Sequence, residues 1–145
     1  MEKEFVAYAE ALALKELGFN EPCFGKFYTK PKSKMFGIDE KGRHYQIKNT
    51  PKKLYTVGEY FVLNDNIVII APTFSQAFRW FREKYNLFGC IDLHISTPIH
   101  WFIRIDKIDI NDYLYHSEDE NIQYSTYEEA ELACLKKLIE IVKND

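Results

Sequence analysis

The amino-acid sequence predicts an α+β fold in which an antiparallel sheet carries about three helices, packed mainly on one face. Three segments have helical periodicity with capping signals, and several short segments alternate apolar and polar residues as strands do. These segments do not follow the β-α-β order that is typical of a parallel sheet. Because 145 residues is the usual size of one domain, we expect a single compact domain over residues 1–145.

The first helix is predicted over residues 3–17, where apolar side chains recur at helical spacing. Gly18 follows as a residue that tolerates the left-handed backbone at a helix end. One predicted apolar row is Phe5, Ala9 and Leu12, continued by the polar Glu16, and the next row is Val6, Ala13 and Leu17.

The second and third helices each begin with a capping box, in which a threonine is followed three residues later by Gln or Glu. Thr73 and Gln76 open the second helix after Pro72, and Thr126 and Glu129 open the third. Asn86 is the predicted left-handed residue after the second helix. The apolar positions are Phe74, Phe78, Phe81 and Tyr85 in the second helix, and Leu135, Leu138, Ile139 and Val142 in the third.

Between the helices, short apolar and alternating segments predict strands. They cover residues 23–29, 35–38, 44–48, 67–71, 91–95 and 101–105, with short strands near Tyr113 and Tyr124. Residues 39–42 are predicted to form a hairpin-like turn ending in glycine. Residues 50–66 are compatible with either a short helix or a strand.

Cysteine usage and hydropathy indicate the compartment. Three cysteines lie far apart, there is no signal-peptide pattern, and the longest apolar run is far shorter than a membrane span. The sequence therefore predicts free thiols, a cytoplasmic location and no membrane association.

Charge is unevenly distributed along the chain. Residues 26–53, which we call the basic segment, hold nine basic and two acidic residues, whereas residues 106–131 hold nine acidic residues and one lysine. Basic side chains interleaved with aromatic ones suit nucleic acid, but we favour the interpretation that the segment is a solvated hairpin or pairs with the acidic residues 106–131. The candidate nucleic-acid-binding residues are Lys26, Lys30, Lys32, Lys34, Arg43, Lys48, Lys52 and Lys53.

Histidines flank the predicted turn between the strands at 91–95 and 101–105. A turn over residues 96–98 would place His94 opposite His100, with Asp92 on the same face, as metal ligands or as an acid–base pair. We favour the alternative that these residues form the polar face of an amphipathic hairpin. No phosphate-binding or Cys–His motif is present, so we predict no catalytic residue, no cofactor and no metal ligand.

Trp80 falls on the polar side of the second helix, near Gln76 and Lys84. These three residues are the candidate partner-binding residues, because exposed tryptophans often anchor protein interfaces. The competing and favoured interpretation is that Trp80 packs under another element.

Residues 10–25, 71–87 and 126–143 together resemble small proteins of phages and mobile elements of Bacteroidetes, a group without an established activity. The resemblance implies an accessory role but no site residue. Our leading hypothesis is a small, non-catalytic protein-binding module whose partner is a host protein. The alternative is a nucleic-acid-binding protein that uses the basic segment, and the third hypothesis is an enzyme with an unrecognised site.

Overall fold

The computed structural model describes residues 4–23, 25–29, 67–110 and 112–145. The chain divides into two compact units, Met1–Ser75 and Gln76–Asp145. The single compact domain over residues 1–145 stays a prediction. Among the described residues, no helix is both long enough and apolar enough to cross a bilayer.

The first unit contains helix α1 (Tyr8–Glu16) and strands β1 (Gly25–Thr29) and β2 (Ile67–Ala71). The two strands pair antiparallel, with Gly25 opposite Ala71, and α1 packs against β2. Before α1 the chain is extended, because Phe5 forms a β-bridge with Thr73 and the Val6 N–H donates a 2.9 Å hydrogen bond to the Pro72 carbonyl.

This extended stretch corrects the prediction for the first helix, which begins at Tyr8 rather than near residue 3. The side chains that α1 buries are those of Glu10, Ala11 and Leu14, so the predicted apolar rows are also wrong. Phe5 is excluded from the helix because its backbone pairs with Thr73.

The end of α1 follows the prediction. Gly18 has a φ of 90°, which glycine adopts without steric cost. Its N–H donates to the Lys15 carbonyl, and the Phe19 N–H donates to the Leu14 carbonyl, both at 2.9 Å. This pair of hydrogen bonds is a Schellman motif, which satisfies carbonyls that the helix end leaves without a partner.

The second unit contains a three-stranded antiparallel sheet in the order β3-β4-β5. The strands are β3 (Leu87–His94), β4 (His100–Lys107) and β5 (Tyr113–His116), followed by a turn of 3-10 helix at Ser117–Glu120 and by α3 (Tyr127–Asn144). Helix α2 (Phe74–Tyr85) precedes β3, and Asn86 between them has a φ of 55°. The predicted second and third helices are confirmed, as is the capping box of Thr126 and Glu129.

One face of this sheet is apolar and faces helices. Ile103 and Ile105 of β4 are buried, and α3 packs against β3 and β4. A Cβ atom added to Gly89 would lie 2.5 Å from a Phe78 ring carbon and 2.7 Å from the Cys134 sulfur. Side chains of α2 and α3 therefore meet over the same strand residue, and the α+β class is confirmed.

The strand predictions hold where the structure describes them. Residues 67–71 form β2, residues 101–105 lie in β4, and Tyr113 begins β5. The strands predicted at 23–29 and 91–95 are present with shifted ends, because β1 begins at Gly25 and β3 ends at His94. Tyr124 forms an isolated bridge with Trp101. The strand β3 begins at Leu87, earlier than predicted, because Asn86 turns the chain directly from α2 into the sheet. The predicted strands at 35–38 and 44–48 and the ambiguous residues 50–66 lie outside the described residues.

Candidate functional site on the β3–β4 hairpin

The face of β3 and β4 that is turned away from the helices carries polar and aromatic side chains, and we call it the outer face. Residues of one strand alternate between the two faces, so register assigns each side chain. The outer face contains Cys90, Asp92, His94, His100, Phe102, Arg104 and Asp106, and His116 of β5 lies opposite Arg104.

His94 and His100 form the last cross-strand pair before the turn, as predicted, and their ring centroids are 4.8 Å apart. The Ser96 hydroxyl lies between them, 3.2 Å from Nδ1 of His94 and 3.4 Å from Nδ1 of His100. The Nδ1 atom of His100 is also 2.9 Å from the Pro98 carbonyl oxygen. Residues of the turn therefore contact both imidazoles through the same ring atom, Nδ1.

The ring of Phe102 packs against the two imidazoles. Its ring makes edge contacts with His94 and His100, at centroid distances of 5.8 Å and 5.0 Å, and lies 6.0 Å from the ring of His116. These contacts leave Phe102 only 9% exposed although it belongs to the outer face. The three histidines thus cover an aromatic residue and are restricted by it.

Arg104 occupies the centre of the outer face between two carboxylates. Its guanidinium lies 3.3 Å from Asp92 and 3.0 Å from Asp106. The sequence hypothesis that Asp92 joins His94 and His100 is therefore corrected, since Asp92 pairs with Arg104 instead. Within the described residues, no group of three His, Cys, Asp or Glu side chains is arranged to hold a metal ion.

The cysteines are poorly suited to act as nucleophiles. Burial, followed by the negative charge of Asp106, raises the pKa of Cys90, whose thiol donates to that carboxylate at 3.6 Å. Burial, assisted by Cys90 and Glu131, raises the pKa of Cys134 to about 12. Both therefore remain protonated near neutral pH, and Cys23 is fully buried. All three are free thiols, as predicted.

The hairpin exposes apolar side chains at its turn. Ile95 is 82% exposed and Ile99 is 60% exposed, one on each side of the turn. Leu93 and Tyr127, both also exposed, continue this surface along β3 and onto the first turn of α3. The ring of Tyr127 packs edge-on against Trp101, the cross-strand partner of Leu93. We call Leu93, Ile95, Ile99 and Tyr127 the hairpin end.

Acidic side chains border the hairpin end. Partial burial, then the charges of Glu131 and Glu128, raises the pKa of Tyr127. Burial and the nearby Glu128 likewise raise the pKa of Glu131. These shifts in pKa indicate that the carboxylates of Glu128 and Glu131 lie beside the hairpin end.

Trp80 is 5% exposed and so does not present the indole that the partner-binding hypothesis requires. Its ring packs edge-on against Phe81 and Tyr85 at 5.1 Å and 5.3 Å, and the Lys84 ammonium lies 4.8 Å from its centre. Gln76 is half-buried and Lys84 is exposed. The alternative, in which Trp80 is covered, is the arrangement observed.

Most of the candidate nucleic-acid-binding residues lie outside the described part of the chain. They are Lys30, Lys32, Lys34, Arg43, Lys48, Lys52 and Lys53, whereas Lys26 lies in β1. The hairpin end was missed from the sequence because Leu93 and Ile95 share the face that packs on helices. The signal that marks it is an isoleucine on each side of a turn that contains Ser96, Thr97 and Pro98.

Comparison of the chain with protein-family models, with curated proteins and with solved structures finds no match. The chemistry of the hairpin therefore has to be inferred from its own side chains.

Proposed function

We propose that this chain is a small, non-catalytic protein-binding module that contacts its partner through the hairpin end. The observation that carries the proposal is the exposure of Ile95 and Ile99 beside the exposed Leu93 and Tyr127. Single exposed apolar residues are ordinary on a protein surface, whereas apolar residues grouped together are typical of interaction sites. A turn also projects beyond the sheet, so a partner can enclose both isoleucines.

The border of the hairpin end specifies the chemistry of the partner. Glu128 and Glu131 lie beside Tyr127, and residues 76–145 hold 13 acidic against 8 basic residues. A complementary surface has an apolar pocket for the isoleucines and lysine or arginine side chains around it. The proposed partner is therefore a protein with a basic rim around an apolar pocket.

The polar side chains of the outer face support a binding role over catalysis. Arg104 is neutralised by Asp92 and Asp106, and burial and Asp106 keep the Cys90 thiol protonated. The free cysteines support a cytoplasmic protein, and we propose, as the resemblance noted in the sequence implies, that it is an accessory protein acting on a host protein. The alternative, nucleic-acid binding through the basic segment, has to overcome repulsion by the acidic second unit.

The test is affinity capture with tagged full-length chain, followed by purification of the captured protein and titration calorimetry. The double variant Ile95→Ser, Ile99→Ser removes the two most exposed residues of the hairpin end. We expect it to weaken the partner's affinity about 30-fold or more, since interface anchors contribute about 2 kcal/mol or more. The charge reversal Glu128→Lys should weaken binding to a lesser degree, and more strongly at low salt.

The matched control is Ile108→Ser, Ile110→Ser, because these isoleucines are also exposed but lie in the β4–β5 connection. It should leave the affinity unchanged. The proposal is refuted if the captured protein binds both double variants equally well, or if no captured protein binds the purified chain.

A further inference from the structure

We infer that His94 and His100 form a binding site for one divalent transition-metal ion of the zinc, nickel and copper class, held by Nε2 of both rings. The sequence alone predicted no metal ligand, so this inference comes from the hydrogen bonds of the turn. It does not rest on the proposed protein-binding role, since its ligands are the two histidines of the outer face and none of the residues of the hairpin end.

The hydrogen bonds of the turn determine which ring nitrogen is available. A carbonyl oxygen can only accept, so the 2.9 Å contact with the Pro98 carbonyl places the proton of His100 on Nδ1. The Ser96 hydroxyl lies 3.5 Å from the same carbonyl oxygen and 3.2 Å from Nδ1 of His94, so a hydroxyl that donates to the Pro98 carbonyl accepts from Nδ1 of His94. Protonation at Nδ1 leaves a lone pair on Nε2 of each ring. A ligating histidine in metal sites characteristically donates its other ring N–H in this way.

The separation of the rings suits a shared ion. The centroids are 4.8 Å apart, and the rings are inclined by 41°. A zinc ion binds imidazole nitrogen at about 2.0–2.1 Å, so one ion bridges two rings at this centroid separation once rotation of the side chains turns both Nε2 atoms toward it. Phe102 contacts both rings and restricts their rotamers, so the two histidines lose less conformational entropy when the ion binds. Imidazole ligands select zinc, copper and nickel over calcium and magnesium.

The neighbouring groups define the size of the site. His116 accepts a 3.2 Å hydrogen bond at Nδ1 from the Glu118 N–H, which places its own proton on Nε2 and removes it from the ligand set. Asp92 is paired with Arg104. Two carboxylates against one guanidinium nonetheless leave this face with net negative charge, which favours a cation. Two imidazoles with water in the remaining positions make an exchangeable site rather than a structural one.

The test is titration of metal-stripped, full-length chain with zinc chloride alone, followed by calorimetry and by histidine ring signals in NMR spectra. One zinc ion per chain should bind, with the signals of His94 and His100 shifting together. His94→Phe and His100→Phe keep an aromatic ring against Phe102 but remove the nitrogens, and each should abolish this binding. Ser96→Ala should weaken it about tenfold, as loss of a group that orients a ligand does.

Two matched controls exclude other ligands. His116→Gln removes the third imidazole of the outer face, and Cys90→Ser removes its thiol, and both should leave zinc affinity unchanged. The inference is overturned if zinc shows no saturable binding, or if binding survives His94→Phe or His100→Phe in protein whose circular dichroism shows that it is folded. It is equally overturned if binding is lost in Cys90→Ser.

Discussion

The backbone N–H of Ile103 donates a 3.0 Å hydrogen bond to the hydroxyl of Ser117, 14 residues later in the chain. Ser117 is completely buried and lies immediately after β5. The bond satisfies the backbone N–H of a central residue of β4 and connects the start of the 3-10 turn to the sheet.

Ser117→Ala removes the acceptor and leaves a buried N–H without a partner. We expect the free energy of unfolding to fall by about 1–3 kcal/mol, the usual cost of an unsatisfied buried donor. Urea unfolding monitored by tryptophan fluorescence measures the change. Ser125→Ala, which alters an exposed serine, should change stability by less than about 0.5 kcal/mol. Equal effects of the two substitutions would contradict the importance of this bond.

Gly89 tests the packing of both helices against β3. In Gly89→Ala the new methyl group meets the Phe78 ring and the Cys134 sulfur, so we expect destabilisation of about 1–3 kcal/mol from overpacking. Adding Cys134→Ala vacates one side of the contact. The double variant should therefore be less destabilised than the sum of the single variants, as measured by thermal unfolding. Strict additivity would show that the two side chains do not meet over Gly89.

The agreement between sequence and structure is greatest where local chemistry decides the conformation. Thr126 and Glu129 cap α3, Gly18 ends α1, and the turn places His94 opposite His100, all of which depend on near neighbours in the chain. The start of α1 depended instead on pairing of Phe5 with Thr73, 68 residues away, which no local pattern indicates.

The candidate site was harder to predict for the same reason. Strand alternation in the sequence correctly predicted that Asp92 shares a face with the histidines. Only the structure shows that Asp92 forms an ion pair with Arg104 rather than contacting the histidines. The exposure of Ile95 and Ile99 depends on which parts of the fold cover the hairpin, which is a tertiary relationship. The role of Ser96 in orienting the two imidazoles is seen only in the structure, where its hydroxyl lies near Nδ1 of both rings.

The burial of the Cys134 thiol predicts that the folded chain loses stability in alkali. Burial raises its pKa from 9.0 to about 12 in the folded chain, so folding favours the protonated thiol. Its contribution is complete below pH 9 and declines between about pH 9 and 12, because the unfolded chain ionises first. Cys134→Val should make the free energy of unfolding less dependent on pH between about 9 and 11. An unchanged pH dependence in that variant would contradict the assigned cause.

The basic segment provides the test of the alternative function. If it bound nucleic acid with four to six phosphate contacts, each would add about 0.7 to 0.9 to the slope of log affinity against log salt. We expect weak or undetectable binding in gel-shift assays at low and physiological salt. Tight binding that collapses with salt and weakens in Lys52→Glu, Lys53→Glu would establish the nucleic-acid alternative instead.

Methyl NMR of the full-length chain, labelled at isoleucine and titrated with the captured partner, tests the protein-binding surface most directly. The methyl signals of Ile95 and Ile99 should shift or broaden in proportion to the partner added, because a partner that buries the hairpin end changes their surroundings. The signals of Ile108 and Ile110, which are also exposed but lie in the β4–β5 connection, should stay in place. Changes confined to Ile38 and Ile47 of the basic segment, with Ile95 and Ile99 unaffected, would contradict the hairpin end as the binding surface.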